Sequence, residues 1–119
     1  MTEYVVLLPG DESEWERTPE ADREAVYALH QEFAQALAER GHKVTGGSEL
    51  AHSREATVLR TDAAGNQTVT DGPYAETVEQ LTGFYVVESE DHADLVEVCR
   101  ILGRHEGAIE IRAGVGGAS

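Results

Sequence analysis

The chain is poor in cysteine and in positive charge. Its single cysteine, Cys99, excludes an internal disulfide framework and leaves no Cys-x-x-Cys pair for zinc or redox chemistry. Nine basic residues stand against 23 acidic ones, which gives a formal net charge of -14. A charge of this sign repels phosphate backbones and anionic bilayers, so direct binding to nucleic acid is not expected.

Long apolar runs and cofactor motifs are also missing. No stretch approaches the roughly 20 apolar residues of a transmembrane helix, and Met1 leads without a basic leader into the apolar run 4–8. There is no G-x-G-x-x-G and no phosphate loop, and the histidines lack the paired spacing of a zinc site. We therefore expect a soluble, cytoplasmic protein with no membrane association, no metal and no cofactor.

The segments that are present predict one domain over residues 1–113 and a flexible, glycine-rich tail at 114–119. A first helix over 19–40 is indicated by apolar residues at three- and four-residue spacing, with Thr18 as its N-cap and Pro19 in its first turn. A second helix is predicted from an N-cap at Asp91 to about Gly103. The predicted strands cover residues 3–8, 44–50, 56–60, 67–71, 83–88 and 108–112, and the acidic segment 9–17 is predicted to be a loop.

The strands are apolar on both of their faces. Right-handed crossovers would place both helices on one face of a single sheet. In the first strand Tyr4, Val6 and Leu8 point to one side, whereas Val5 and Leu7 point to the other. Because an open apolar sheet face is typical of a partner-binding surface, we expect a homodimer whose two sheets form a barrel-like core.

The most distinctive segment is the run 70–79, Thr-Asp-Gly-Pro-Tyr-Ala-Glu-Thr-Val-Glu, followed by Gly83 and Phe84. It resembles the T-D-G-P-F-x-E-T-K-E-x-x-x-G-[FY] hallmark of YCII-related proteins of the DGPF type. Tyr74 stands where the hallmark has phenylalanine, and Val78 where it has lysine. The resemblance implies a ferredoxin-like α+β fold, an antiparallel sheet with two helices on one face, that dimerises as an α/β barrel.

The resemblance also implies a candidate site and a candidate partner. Related proteins look as though they use a His-Asp pair in a cleft at the dimer, with the histidine eleven residues before the glycine that ends the first helix. His30 stands eleven residues before Gly41, and Asp71 is the candidate aspartate. Proteins of the DGPF type often occur beside extracytoplasmic-function sigma factors, so such a sigma factor is an implied partner.

The helical wheel places His30 on the sheet-facing side of the first helix. It is either a general acid/base oriented by a carboxylate or a histidine satisfied by a backbone carbonyl or water. Asp71 either pairs with His30 or accepts amide hydrogens from the turn that follows it. Tyr74 and the single tryptophan, Trp15, are candidate ligand contacts, and Trp15 is alternatively a dimer contact.

Three functions fit these residues. The first is a module that binds a small ligand near His30 and Asp71, in a regulatory setting linked to a sigma factor. The alternative is an enzyme that uses His30 and Asp71 as an acid-base pair on a small organic molecule. The third is a dimerisation scaffold without a ligand.

Overall fold

The structure, a computed structural model, describes residues 1–115 as a mixed α+β fold. The strands are β1 (Thr2–Asp11), β2 (Lys43–Glu49), β3 (Thr57–Thr61), β4 (Gln67–Asp71), β5 (Glu79–Ser89) and β6 (Glu110–Ala113). The helices are α1 (Glu12–Arg17), α2 (Glu20–Glu39) and α3 (His92–Cys99), and 3-10 turns lie at Ser53–Glu55 and Leu102–Arg104. The predicted tail at 114–119 falls largely outside the described residues.

The main sheet is antiparallel, with strand order β2-β5-β1-β6. This order is consistent with the expected ferredoxin-like fold, with β3 and β4 inserted as a separate hairpin between β2 and β5. The register between β1 and β5 shifts at Leu8/Pro9, and the Thr82 hydroxyl donates to the Leu8 carbonyl across the shift at 2.8 Å. A second register shift, between β2 and β5, lies at Val44/Gly46, and the candidate site lies at the irregular end marked by Leu8/Pro9.

Helix α2 follows the predicted apolar spacing. Phe33 and Leu37 are buried, and Gly41 follows the helix with a φ of 85°, a left-handed conformation that favours glycine. The predicted Thr18 N-cap is wrong, because Pro19 occupies that position and the Thr18 hydroxyl donates to Glu14 of the preceding helix instead. No helix within residues 1–115 is both long and apolar enough to cross a membrane.

The acidic segment predicted to be a loop contains helix α1. The Asp11 side chain accepts hydrogen bonds from the amides of Ser13 and Glu14 and so caps the helix. The buried Glu12 carboxylate accepts from the backbone amide and the hydroxyl of Ser53, at 2.6 and 2.5 Å. The acidic residues thus stabilise the helix start and attach it to the loop before β3.

Several predicted boundaries also shift. Strand β5 begins at Glu79 rather than residue 83, because Glu79 to Leu81 continue the pairing with β1 beyond the register shift. Helix α3 ends at Cys99 rather than near Gly103, where a 3-10 turn takes over. Strand β6 covers Glu110–Ala113 rather than 108–112. In each case the local pattern identified the element, whereas tertiary pairing decided its end.

Both long helices pack on the same face of the main sheet. The buried apolar residues of this core are Val6, Leu8, Phe33, Leu37, Val87, Leu95, Val98, Cys99 and Leu102. On the opposite face, Val5 is paired with Val86 and Leu7 with Phe84, and all four remain partly exposed. Among the described residues, no helix packs on this opposite face. The apolar residues on both sides of the strands predict such an open face.

The β3–β4 hairpin extends from the body of the chain. Leu59 and Val69, a cross-strand pair within it, are both more than half exposed. The radius of gyration is 16.5 Å and the shape is flat, 50 × 42 × 18 Å, whereas a compact chain of this length has a radius of roughly 13.5 Å. The excess shows that the hairpin does not fold back on the single core.

A buried polar network fixes the end of the sheet at which β2 begins and β5 ends. His42 is buried, with Nδ1 2.8 Å from the Ser89 hydroxyl and Nε2 2.7 Å from the Asp94 carboxylate. Arg40 also donates to Asp94. Asp91 accepts from the Asp94 amide, as the predicted N-cap requires. The ends of α2, α3 and β5 are therefore tied together.

Candidate functional site

A cavity of about 270 Å³ lies between α2 and the irregular end of the main sheet. The residues that line it are Leu8, Trp15, Val26, Tyr27, His30, Gly47, Ser48, Glu49, Thr82, Gly83, Phe84, Tyr85, His105 and Glu106. We call this the His30 cavity. Its walls come from α1, α2, β1, β2, β5 and the segment after the second 3-10 turn, so the whole fold is needed to assemble it.

His30 forms a hydrogen bond inside this cavity. Its Nδ1 lies 2.5 Å from the Tyr85 hydroxyl, and the two rings stack with centroids 5.8 Å apart. The pKa of His30 is lowered, chiefly by burial and then by the nearby charge of His105. Glu49 acts in the opposite direction but does not reverse the shift. Burial also raises the pKa of Tyr85. We therefore assign the Tyr85 hydroxyl as the donor to a neutral imidazole that carries its proton on Nε2.

Two carboxyl groups face the same cavity. The Tyr27 hydroxyl donates to Glu49 at 3.0 and 3.2 Å from its two oxygens. Burial, followed by this hydrogen bond, raises the pKa of Tyr27. Burial raises the pKa of Glu106, and the neighbouring His105 partly opposes the shift. The cavity thus combines Glu49, which accepts a hydrogen bond from Tyr27, with the Glu106 carboxyl, which holds its proton more tightly than an exposed glutamate.

Trp15 forms part of the cavity wall from helix α1. Its ring meets Tyr27 edge-on at 5.8 Å and His105 at 6.1 Å between centroids. Arg23 holds it in place: its guanidinium lies 5.1 Å from the indole centroid and donates to the carbonyls of Trp15 and Glu16. A positive charge at the carbonyl end of a helix is favourable. Arg23 therefore stabilises the C-terminal end of α1 and orients the indole.

The structure does not bring Asp71 and Tyr74 to the His30 cavity within one chain. Asp71 is exposed at the end of β4, opposite Thr57. The exposed Tyr74 ring lies 5.3 Å from the Arg60 guanidinium, and its carbonyl accepts from Arg60. The pairing of His30 with Asp71 and the ligand contact of Tyr74 therefore stay predictions that require a second chain.

The distinctive run 70–79 forms another feature instead. Pro73, Glu76, Thr77 and Val78 line a second cavity of about 450 Å³, together with the start of α1 and the loop that contains Arg54. Gly72 has a φ of 101° and its amide donates to Ala56, so the glycine turns the chain away from the hairpin. This segment is structural in the single chain.

Sequence reasoning found His30 and Trp15 but missed most of their neighbours. The alternation of β5 places Tyr85 on the helix-facing side, and Tyr27 stands three residues before His30 on α2, so both could have been found by period. Glu49 and Glu106 carry no such signal, because they reach the cavity through tertiary packing. Within residues 1–115, no group of three or more His, Cys, Asp and Glu side chains is arranged to hold a metal ion.

The antiparallel sheet with helices packed on one face defines a mixed α+β protein, consistent with a ferredoxin-like fold, with a cavity between helix and sheet. The model of the YCII-related domain matches residues 2–113, and the chain belongs to this family. It is similar to an uncharacterized protein of Rhizobium meliloti strain 1021, with 31% identity over 112 residues that cover 92% of this chain and 89% of the relative. The family resemblance is confirmed, whereas the DGPF type stays a prediction.

Proposed function

We propose that the protein binds a small organic molecule in the His30 cavity. The observation that carries this proposal is the His30–Tyr85 hydrogen bond, 2.5 Å long, at the wall of an aromatic cavity. Ligand sites are typically concave, mostly apolar and furnished with a few convergent polar groups. At about 270 Å³, the cavity is just below the usual range of roughly 300–1,000 Å³, which favours a small ligand.

The test uses Trp15, whose indole N–H gives one signal in a proton–nitrogen correlation spectrum because the chain has one tryptophan. We expect benzyl alcohol to shift this signal saturably at millimolar concentration. His30→Leu leaves the Tyr85 hydroxyl unpaired, at a cost of about 1–3 kcal/mol, and should weaken binding about tenfold. His92→Gln, at an exposed histidine beside Tyr4, is the matched control. Equal binding by both variants would contradict the proposal.

We also propose that two copies pair through the open face of the main sheet. Val5, Leu7, Phe84 and Val86 form this face, and the extended hairpin offers further apolar surface at Leu59 and Val69. Burying apolar surface contributes roughly 25 cal/mol per Å², and the helices already occupy the other face. A second copy is the partner whose surface has the same apolar character.

Val86→Glu is expected to convert the dimer to a monomer. The substitution places a charge on the open face, opposite Val5, and burying an unpaired carboxylate in an interface is strongly unfavourable. Ala28→Glu adds the same charge at an exposed position of α2 and should leave the mass unchanged. Light scattering after size-exclusion chromatography measures both. A wild-type monomer at all accessible concentrations would exclude the dimer.

In such a dimer, we propose that Asp71 of one copy approaches His30 of the other. Asp71 is the last residue of the extended β3–β4 hairpin. Because the hairpin extends away from the core of its own chain, we expect it to reach a second copy. A disulfide requires Cα atoms within about 7 Å. With Cys99→Ala to remove the native thiol, the double substitution His30→Cys and Asp71→Cys should give a covalent dimer on oxidation. A chain that stays monomeric on a non-reducing gel would rule out the pairing.

The enzyme alternative is favoured by two titratable groups that line the same cavity, Glu106 with a raised pKa and His30 with a lowered pKa. Carboxyl groups and imidazoles shifted in these directions are typical of acid-base catalysis. The protein would then accelerate the exchange of carbon-bound protons next to a carbonyl, measured by NMR in deuterium oxide with small ketones. His30→Gln should abolish the acceleration. If the wild-type protein gives no faster exchange than buffer alone, this chemistry is excluded for those ketones.

The sigma-factor setting is supported by charge alone. A chain with a net charge of -14 is complementary to a basic protein surface, and such complementarity accelerates association. An extracytoplasmic-function sigma factor is the partner that we propose. Failure of a purified sigma factor encoded beside this chain to bind it at low ionic strength would count against the proposal.

A further inference from the structure

We propose that the His30 cavity takes an organic cation, an amine or a quaternary ammonium compound, whose charged group lies among Trp15, Tyr27 and Tyr85 near Glu49 and Glu106. This inference rests on the proposed function, since it names the class of ligand that the same cavity receives. Three independent features of the cavity support it: its aromatic walls, the signs of its charges and the protonation of its histidine.

The aromatic walls come from three different elements. Trp15 projects from α1, Tyr27 from α2 and Tyr85 from β5, and all three line the cavity. A cation within about 6 Å of a ring face is attracted by the negative face of the ring, and sets of aromatic walls are a recurrent solution for ammonium ligands. Trp15 and Tyr27 meet edge to face, 5.8 Å apart, so their rings bound the space from different directions.

The charges around the cavity are those that attract a cation. Glu49 and Glu106 line it, whereas none of its described lining residues is lysine or arginine. Arg23 contacts the Trp15 ring and backbone and is not among the lining residues. Within the described residues, Arg23 is thus the one arginine with a hydrogen-bond or cation–π contact to a residue of the wall, with its guanidinium 5.1 Å from the Trp15 centroid, and the acidic chain as a whole would repel a carboxylate or phosphate ligand.

The protonation of the site also fits a cation. The lowered pKa of His30 keeps its imidazole neutral near pH 7, with the Tyr85 hydroxyl paired to it. The titratable side chains that line the cavity together with Glu106 are those of His105, His30, Glu49, Tyr27 and Tyr85. His30 loses positive charge as the pH rises, and Glu106, whose pKa is raised, gains negative charge. Each change strengthens the attraction for a cation.

A charge series on one aromatic ring tests this inference. The probes are benzyltrimethylammonium, benzyl alcohol and phenylacetate, each titrated into the full chain and followed through the Trp15 indole signal and by calorimetry. We expect the cation to bind at least tenfold more tightly than the alcohol and the anion to bind most weakly. The affinity for the cation should rise between pH 5 and pH 8, whereas the affinity for the alcohol should change little.

Isosteric variants identify the groups responsible. Glu106→Gln should weaken binding of the cation several-fold and reduce its pH dependence, and the loss for the cation should exceed any loss for benzyl alcohol. Glu90→Gln, at an exposed position just after β5, removes the same charge from the surface and should change neither. Equal binding of cation and alcohol would overturn the cation inference and leave the proposed function standing. If none of the three probes binds, both the cation inference and the proposed function are contradicted. If phenylacetate binds more tightly than the cation, the cation inference alone is overturned.

Discussion

Gly47→Ala is expected to lower the free energy of unfolding by about 2–5 kcal/mol, because the new methyl group adds both backbone strain and overpacking. Gly47 lies in β2 opposite Tyr85, with a φ of 142°, a conformation that side chains rarely adopt. A Cβ atom there would lie 2.6 Å from the Phe84 carbonyl oxygen and 3.1 Å from the Tyr85 Cα. Neither neighbour is the free end of a flexible side chain.

The neighbouring glycine provides a matched control. A Cβ atom at Gly46 would meet Val86 at 3.6 Å, an ordinary contact, and Gly46 has no positive φ. Gly46→Ala should therefore stay within about 1 kcal/mol of the wild type. Urea denaturation measures both variants. Because the strained site adjoins Tyr85, Gly47→Ala should also disturb the His30–Tyr85 hydrogen bond and shift the Trp15 indole signal. Equal stability of Gly47→Ala and Gly46→Ala would contradict the geometry.

Phe33→Ala is expected to destabilise the fold by about 3–5 kcal/mol, the usual cost of removing a buried aromatic ring. Phe33 is fully buried on α2, and its ring packs against Tyr85 with centroids 5.1 Å apart. The substitution would leave a void beneath the wall of the His30 cavity. Ligand binding should weaken as well, since Tyr85 loses the contact that fixes its ring.

The exposed hairpin offers the comparison. Val69→Ala removes apolar atoms at a position that is 66% exposed, and it should change the free energy of unfolding of the isolated chain by no more than about 0.5 kcal/mol. Urea denaturation at a protein concentration where both variants are monomeric separates folding from association. A loss for Phe33→Ala below 1 kcal/mol would show that this core is not the one that holds α2 to the sheet.

The fold was more predictable from sequence than the site. Alternation along β1 and β5 and the apolar spacing on α2 depend on local period, so they identified the elements and the two-faced sheet. Helix α1 was missed because its six residues have too few turns for a period, and its stability comes from Asp11, Ser53 and Arg23. Glu106 and Glu49 reach His30 through packing of segments distant in sequence, which no local pattern encodes.

The attachment of α1 determines how a molecule could reach the cavity. A helix of six residues has little stability of its own, so a small number of contacts, chiefly those of Glu12 and Arg23, hold Trp15 in the cavity wall. Local opening costs less than global unfolding where few contacts must break. Exchange between free and bound ligand would then follow the opening rate of α1, and the amides of residues 12–17 would exchange with solvent faster than those in the middle of α2.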